Sequence, residues 1–289
     1  MKPPKFGYVR ATNLAGALDA LSASQGMGKI IAGGQSLMPM LNFRLLSPSV
    51  LIDINRVEEL DFLEEHEGGL RIGALTRHRT LETSPLVARL FPILAETMRH
   101  VAHLAIRNRG TIGGSITHAD PAAELPLMLV LLDAEIRLAS STAARTLRAA
   151  DFFLGALTSD VQEDEIVTEI VLPALPSGAG GAFEEVSRRV GDFALAAAGA
   201  ILVVDKGVIS QARLGVMGVA DCATRVAQAE QLMLGKACDA TLLDQVVTAV
   251  RASVEPDSDL HASGEYRRQL IGVLAHRAVA TAWERAGGK

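Results

Sequence analysis

The sequence predicts an α+β protein of two domains, divided near residue 177. Three observations carry that reading. Helical and strand patterns alternate from residue 12 to residue 172. A Pro- and Gly-rich stretch, Pro173-Ala174-Leu175-Pro176-Ser177-Gly178-Ala179-Gly180-Gly181, then reads as a linker. Beyond it two long apolar segments form a hairpin-like pair, and three helical patterns run to the end. A chain of 289 residues is long enough for two packed domains.

In order, Thr12 is placed to cap a helix carrying Leu14, Ala17, Leu18 and Leu21 on one face. Lys29-Ile30-Ile31 is a short strand running into a glycine loop. Val50-Leu51-Ile52-Asp53-Ile54 and Leu70-Arg71-Ile72-Gly73-Ala74 are further strands. Residues 84–108 are helical by pattern, with Pro92 in the first turn of a second helix. After a second glycine loop, Asp120 suits a helix N-cap and Pro121 its N1 position. Strands return near 134–139 and 166–172. Apolar segments 195–204 and 208–217 flank the turn Asp205-Lys206-Gly207, and helices follow at about 224–234, 239–252 and 263–285. No internal repeat or low-complexity tract is present.

Composition excludes several classes. A net charge of −5 and the lack of a basic run give nucleic acid or an anionic membrane no footing. The longest apolar stretch, Phe193 to Val204, is about twelve residues where a bilayer span needs about 20. The first residues, Met1-Lys2-Pro3-Pro4-Lys5-Phe6, lack the apolar core of a signal peptide. A soluble, cytoplasmic protein is expected. Two cysteines, Cys222 and Cys238, form no CxxC pair and cannot supply the four thiolates of an iron–sulfur cluster.

The two glycine loops share one design. Gly33-Gly34-Gln35-Ser36 follows a strand, and Thr111-Ile112-Gly113-Gly114-Ser115 leads toward a helix. Paired glycines allow backbone angles closed to other residues and leave room for a ligand. Consecutive N–H groups can then converge on phosphate oxygens, with Ser36, Thr111 and Ser115 as further donors. Tight turns without a ligand would use the same residues. Neither GxGxxG nor GxxxxGK[ST] is present, so the usual dinucleotide and P-loop sites are not the match. Residue chemistry leads to a diphosphate-containing ligand, or to two plain turns.

Four segments resemble a known family. Ala32-Gly33-Gly34-Gln35-Ser36-Leu37 and Thr111-Ile112-Gly113-Gly114-Ser115 are similar to the two flavin loops in medium subunits of the xanthine dehydrogenase/carbon monoxide dehydrogenase family, the molybdenum hydroxylases. His118-Ala119-Asp120-Pro121-Ala122-Ala123-Glu124-Leu125-Pro126 and Arg188-Arg189-Val190-Gly191-Asp192-Phe193-Ala194 follow that family's sequence as well. The resemblance spans nearly the whole chain.

It implies a bipartite FAD-binding domain of the vanillyl-alcohol-oxidase (PCMH) type over residues 1–176, with subdomains at about 1–55 and 56–176. A C-terminal domain of a small antiparallel sheet with helices would follow over 177–289. FAD would be bound non-covalently. Carried over by position, Ala32, Gly33, Gly34, Gln35, Ser36, Leu37, Thr111, Ile112, Gly113, Gly114 and Ser115 contact it. Glu124 stands at an acidic position near the cofactor, Val167 at a backbone contact, and Phe193 at an aromatic position close to the isoalloxazine. The implied partners are a large subunit with the molybdenum cofactor and a small subunit with two [2Fe–2S] clusters, in a dimer of heterotrimers. Two departures stand out. Many members carry a lysine shortly after the aromatic that begins Phe183-Glu184-Glu185-Val186, where this chain has glutamates. Many also have His at position 35 and Asn at 115, against Gln35 and Ser115 here.

Other residues carry less. His100, His103 and His118 lack a carboxylate or cysteine to complete a metal set, so packing roles are expected. Arg107 and Arg109 read as surface salt-bridging residues before diphosphate ligands. With no nucleophile–base pair, no residue is assigned a catalytic role. The implied function is electron transfer through FAD from a partner's clusters to an external acceptor. The rivals are a self-contained FAD-dependent oxidoreductase, which would reduce its flavin with substrate unaided, and a non-catalytic flavin carrier or assembly factor, which would exchange no electrons.

Overall fold

The computed structural model describes residues 2–288 and has the mixed α+β composition expected. Residues 7–53 form a β–α–β–α–β run: β1 (Gly7–Arg10), α1 (Leu14–Ala23), β2 (Gly28–Ile31), α2 (Leu37–Asn42) and β3 (Val50–Asp53). Its three strands are parallel, in the order β1-β3-β2. Leu18, Leu21, Ile52 and Ile54 fill the space beneath α1. Asn13, not Thr12, caps that helix, its Oδ1 accepting from the Gly16 N–H at 2.8 Å.

Next come β4 (Leu63–His66), β5 (Gly69–Gly73), α3 (His78–Thr83), α4 (Pro85–Leu90), α5 (Pro92–Thr97), α6 (Leu104–Arg107), α7 (Ile112–His118) and α8 (Glu124–Leu131). After them run β6 (Glu135–Ala139), β7 (Ala144–Arg148), α9 (Ala149–Phe152), β8 (Phe153–Gly155), β9 (Thr158–Ser159) and β10 (Ile166–Leu172). The main sheet has the order β4-β5-β10-β6-β7 and is antiparallel in every pairing described. The expected helical stretch at 84–108 is three short helices. Pro92 restarts the chain after Phe91, and Ala102 sits in the left-handed region at φ 44°, breaking it again before α6. Asp120-Pro121 does not open a helix. Ala119 is left-handed (φ 51°), Asp120 Oδ1 accepts from the Ala122 N–H at 2.9 Å in a turn, and α8 begins only at Glu124.

The last part holds β11 (Gly180–Ser187), β12 (Ala194–Asp205), β13 (Val208–Met217), β14 (Thr224–Arg225), α10 (Ala227–Met233), α11 (Ala240–Ala252) and α12 (Gly264–Arg285). Its sheet is antiparallel, in the order β11-β12-β13-β14, with the β12–β13 hairpin at the expected turn. Strand alternation explains the alanines of β12. Ala196, Ala198, Ala200 and Leu202 face α11 and α12, whereas Ala197 and Ile201 join the core shared with the main sheet.

Helix α8 occupies the space between the two sheets. All eight of its residues are buried, the pattern of a helix enclosed on every side. Two glycines admit it. A β-carbon on Gly199 would lie 2.9 Å from Leu131, and one on Gly215 would lie 2.6 Å from Leu127. This packing holds α8 against β12 and β13.

Candidate functional site

The first glycine loop turns directly off β2. Gly34 is left-handed at φ 70°, a backbone state that favours glycine. Among the described residues, the five consecutive N–H groups from Gly33 to Leu37 donate to no protein acceptor. Such a run of free donors is an anion-binding nest. Gln35 does not extend it, because its Nε2 donates to the Gly33 carbonyl at 2.8 Å and braces the turn. Asn55 fixes the loop from the other side, donating to the Ala32 carbonyl at 2.8 Å.

The second loop is built differently from the sequence expectation. Gly113, Gly114 and Ser115 lie inside the first turn of α7, with Thr111 as N-cap. Their N–H groups are already committed. Ile112 donates to Thr76, Gly113 to Ala74, Gly114 to the Thr111 hydroxyl and Ser115 to the Thr111 carbonyl, at 2.9–3.1 Å. The glycines here serve close packing: a β-carbon on Gly113 would sit 2.8 Å from the Ala74 carbonyl oxygen. The two loops also meet. A β-carbon on Gly33 would lie within 2.9 Å of both Arg109 and Gly110.

Between the loops opens a cavity of about 520 Å³, within the usual range for small-molecule sites. Every residue expected at the cofactor lines it except Ile112, whose side chain is fully buried in the core. Ser36 and Ser115 reach it from the two loops, Val167 from β10, Glu124 from α8 and Phe193 from the start of β12. Phe193 is 68% exposed, a large apolar ring left at the edge of the opening.

Two residues that sequence reasoning passed over, Arg77 and His78, hold this arrangement, and a third, Arg107, stands elsewhere than expected. Arg77 donates to the Arg109 carbonyl and, at 2.8 Å, to Asn55 Oδ1, tying both loops together. His78 is 6% exposed, and its Nε2 lies 3.0 Å from the Thr111 carbonyl, so the proton belongs on Nε2. Burial, with Arg107 and Arg77 nearby, pushes this imidazole down to about 4 and keeps it neutral. Its Nδ1 is buried without a partner. Arg107 is not a surface residue. Its side chain bonds Glu82 at 2.9 Å and the carbonyls of Val101 and Ala102, so most of its donors are committed within the protein.

Glu124 is 7% exposed, and burial, then the facing charge of Glu185, raises its carboxyl to about 8. The Glu185 side chain is 3% exposed and is raised by burial to about 7, with Oε2 unpartnered. His100 does not join a metal set with its neighbours. It packs edge-on against Phe183 at 5.2 Å and lies 4.0 Å from Glu185.

A donor nest, two unpaired hydroxyls, an apolar wall and a mouth with an exposed aromatic define a site suited to an elongated, diphosphate-bearing cofactor. The comparisons with known proteins give the chain its family. Residues 4–175 match the family described as FAD binding domain in molybdopterin dehydrogenase, and residues 181–282 match the CO dehydrogenase flavoprotein C-terminal domain. The chain is 41% identical over 287 residues to the 6-hydroxypseudooxynicotine dehydrogenase complex subunit alpha of Paenarthrobacter nicotinovorans, covering 99% of this chain and 97% of that one. It is 37% identical to the glyceraldehyde dehydrogenase medium chain of Sulfolobus acidocaldarius, covering 96% and 98%. A chain of the carbon monoxide dehydrogenase from Hydrogenophaga pseudoflava superposes with a TM-score of 0.96 at 36% identity, covering 99% of both chains. The protein therefore belongs to the FAD-binding medium subunits of the molybdenum hydroxylases, and is the FAD subunit of an oxidoreductase of several subunits. No described helix is long and apolar enough to cross a membrane.

The residues fit FAD. The free donors of the Gly33–Leu37 run suit a diphosphate, and Ser36 and Ser115 line the same cavity.

Proposed function

We propose that this chain carries electrons between a partner's [2Fe–2S] clusters and an external acceptor, by way of non-covalently bound FAD. The observation that carries the reading is the cavity itself: a donor nest deep between two loops, with the apolar Phe193 at an exposed mouth. FAD supplies the redox chemistry, accepting electrons and passing them on. The chain's residues bind, orient and shield it. The N–H groups of Gly33 to Leu37, with the Ser36 and Ser115 hydroxyls, hold the diphosphate. Ala32, Thr111, Gly113, Gly114 and Val167 shape the walls, and Phe193 limits access of water and acceptor to the isoalloxazine. Gln35 acts by bracing the loop.

Two further observations support a partnership. Cys222 and Cys238 are separate, half-buried thiols, so relay clusters need another chain. Relatives of 34–41% identity include subunits of enzymes named for carbon monoxide, caffeine and 6-hydroxypseudooxynicotine. Such spread in substrate at near-constant identity fits a substrate site on a different subunit. The assembly is a dimer of heterotrimers, with a molybdenum-cofactor large subunit and a small two-cluster subunit, working in the cytoplasm. Within the chain, residues 1–176 form the cofactor domain and 177–289 the C-terminal domain. Purified protein loaded with FAD should release all of it on acid precipitation and accept electrons from the reduced small subunit. Flavin that stays with the pellet, or that the reduced partner cannot reduce, would refute the reading.

A further inference from the structure

The connection between β11 and β12, residues 188–193, leaves the C-terminal sheet and ends at the cavity mouth with Phe193. Its own side chains bury little: Arg188, Arg189, Val190 and Phe193 are all exposed. Arg188 donates to His261 Nδ1 at 2.7 Å, which roots the connection in its own domain. The Arg189 carbonyl folds it back, accepting from the Ser187 hydroxyl at 2.9 Å and the Asp192 N–H at 3.0 Å. At Gly191 it meets the cofactor domain at close range. A β-carbon there would lie 2.6 Å from Cε1 of the His103 ring and 3.1 Å from the carbonyl carbon of Ala102. Gly191 is also left-handed, at φ 85°, so both its space and its backbone favour glycine.

The surface under Gly191 is fixed from below. Arg107 Nη1 donates to the Val101 and Ala102 carbonyls at 2.9 and 2.7 Å, while its Nε holds Glu82 at 2.9 Å. Ala102 stays left-handed at φ 44° although it carries a side chain. The His103 carbonyl accepts from the Ile106 and Arg107 N–H groups at the start of α6, at 2.9 and 3.0 Å. Ala102, Gly191 and Phe193 line the cavity, whereas His103 stands outside it. Its imidazole is a platform for the backbone just before the aromatic.

We propose that residues 188–193 form a strap seated on His103, and that this seat holds Phe193 at the cavity mouth. His103 is then a positioning residue. It acts through Gly191 and Phe193 on what reaches the flavin, without touching the cofactor itself. The seat concerns this chain alone, and only its effect on the flavin rests on the FAD reading. A segment with few buried side chains opens readily once a backbone contact is lost. Without the ring beneath Gly191, Phe193 swings away from the mouth as a lid does.

The test compares His103→Ala with wild type in two measurements. In flavin-free full-length protein, the Asp192 amide should exchange its hydrogen about tenfold faster or more, with the β12 amides unchanged. In FAD-loaded protein reduced with dithionite, reoxidation by ferricyanide should quicken about threefold or more. His103→Phe, which restores a flat ring, should return both readings to within about twofold of wild type. In a Phe193→Ala background, His103→Ala should change reoxidation by less than about twofold, because the ring acts through that aromatic. Unchanged Asp192 exchange in His103→Ala would overturn the seat. The same acceleration of reoxidation with and without Phe193 would overturn its link to the mouth. If the protein takes up no FAD, the functional reading fails, and the exchange measurement alone decides the strap.

Discussion

Gly33 lies against the carbonyl of Arg109 so closely that a β-carbon would come within 2.2 Å of its oxygen. The contact joins the loop after β2 to the loop before α7, and both ends of it are backbone. Neither side can rotate away, so any side chain at residue 33 must push the loops apart.

Gly33→Ala should therefore destabilise the protein by about 1–3 kcal/mol, the usual cost of overpacking. FAD affinity should drop with it, because the nest depends on the loop position. Denaturant midpoints and FAD titration of the same variant test both. A variant with unchanged midpoint would show that the loops are not clamped here.

The elements that could be read from the sequence are those whose signal is local. The β12–β13 hairpin announces itself through Asp205-Lys206-Gly207 between apolar runs, and α11 and α12 through periodicity with Asp239 and Ser263 as caps. The glycine loops were found for their glycines, although only the first offers free donors. That difference depends on Thr76 and Ala74, which accept from the second loop across a distance in sequence that no local pattern spans. Arg77 and His78 escaped notice for the same reason: each acts on a loop more than thirty residues away. Asp120 looked like a cap because Asp-Pro before an apolar run is a common helix start. Left-handed Ala119 and the Asx turn moved that start to Glu124.

Gly114 tests the second loop. A side chain there would meet the Thr111 hydroxyl at 2.9 Å, displacing the cap of α7 and entering the cavity. Gly114→Val should weaken FAD binding at least tenfold, about 1.4 kcal/mol. Thr111→Ala, which removes only the cap, should cost about 1 kcal/mol of stability. An unaltered flavin titration in folded Gly114→Val would remove this loop from the site.

Phe193 contributes a large exposed ring at the mouth and little to the core. Phe193→Ala should change flavin reoxidation several-fold while leaving FAD affinity within about 0.5 kcal/mol, as for a surface substitution. Stopped-flow reoxidation beside equilibrium titration separates the two. Equal values for wild type and variant in both would reduce Phe193 to an incidental surface residue.

Stability should depend on pH with opposite signs at the two ends. Although burial opposes it, Arg71 and Arg137 at 3.0–3.2 Å hold the Glu169 carboxyl below its ordinary range. A depressed carboxyl stabilises above its unfolded value and loses that contribution as pH falls through the folded one, here below about pH 4.5. Glu124 and Glu185, raised by burial to about 8 and about 7, work the other way. Their contribution is complete below the unfolded value and disappears as pH rises through 7 and 8. Denaturation across pH should thus show a maximum near the ordinary carboxyl value, about pH 4.5, with stability falling towards acid and falling again between there and about pH 8. Glu169→Gln should lower the maximum by about 1 kcal/mol and flatten the acid limb, since the arginines keep contact with water. An alkaline limb identical in Glu185→Gln and wild type would contradict the assignment.

Partnership is the strongest functional demand on this chain. In the proposed route electrons from a molybdenum site reach FAD through relay centres, and two separated cysteines cannot build them here. On the proposed electron route a partner's cluster approaches the flavin closely, and part of the surface should then be a stable subunit interface, larger and more apolar than a transient contact. The isolated chain should therefore contain neither iron nor molybdenum and should oxidise no heteroaromatic or similar substrate. Mixed with its large and small partners it should elute as one complex on size exclusion. Substrate should then reduce the FAD anaerobically, at a rate that falls to zero when the small subunit is omitted. Rapid reduction of the flavin by substrate in the isolated, metal-free chain would favour a self-contained oxidoreductase instead, with its substrate pocket in the same cavity as the flavin.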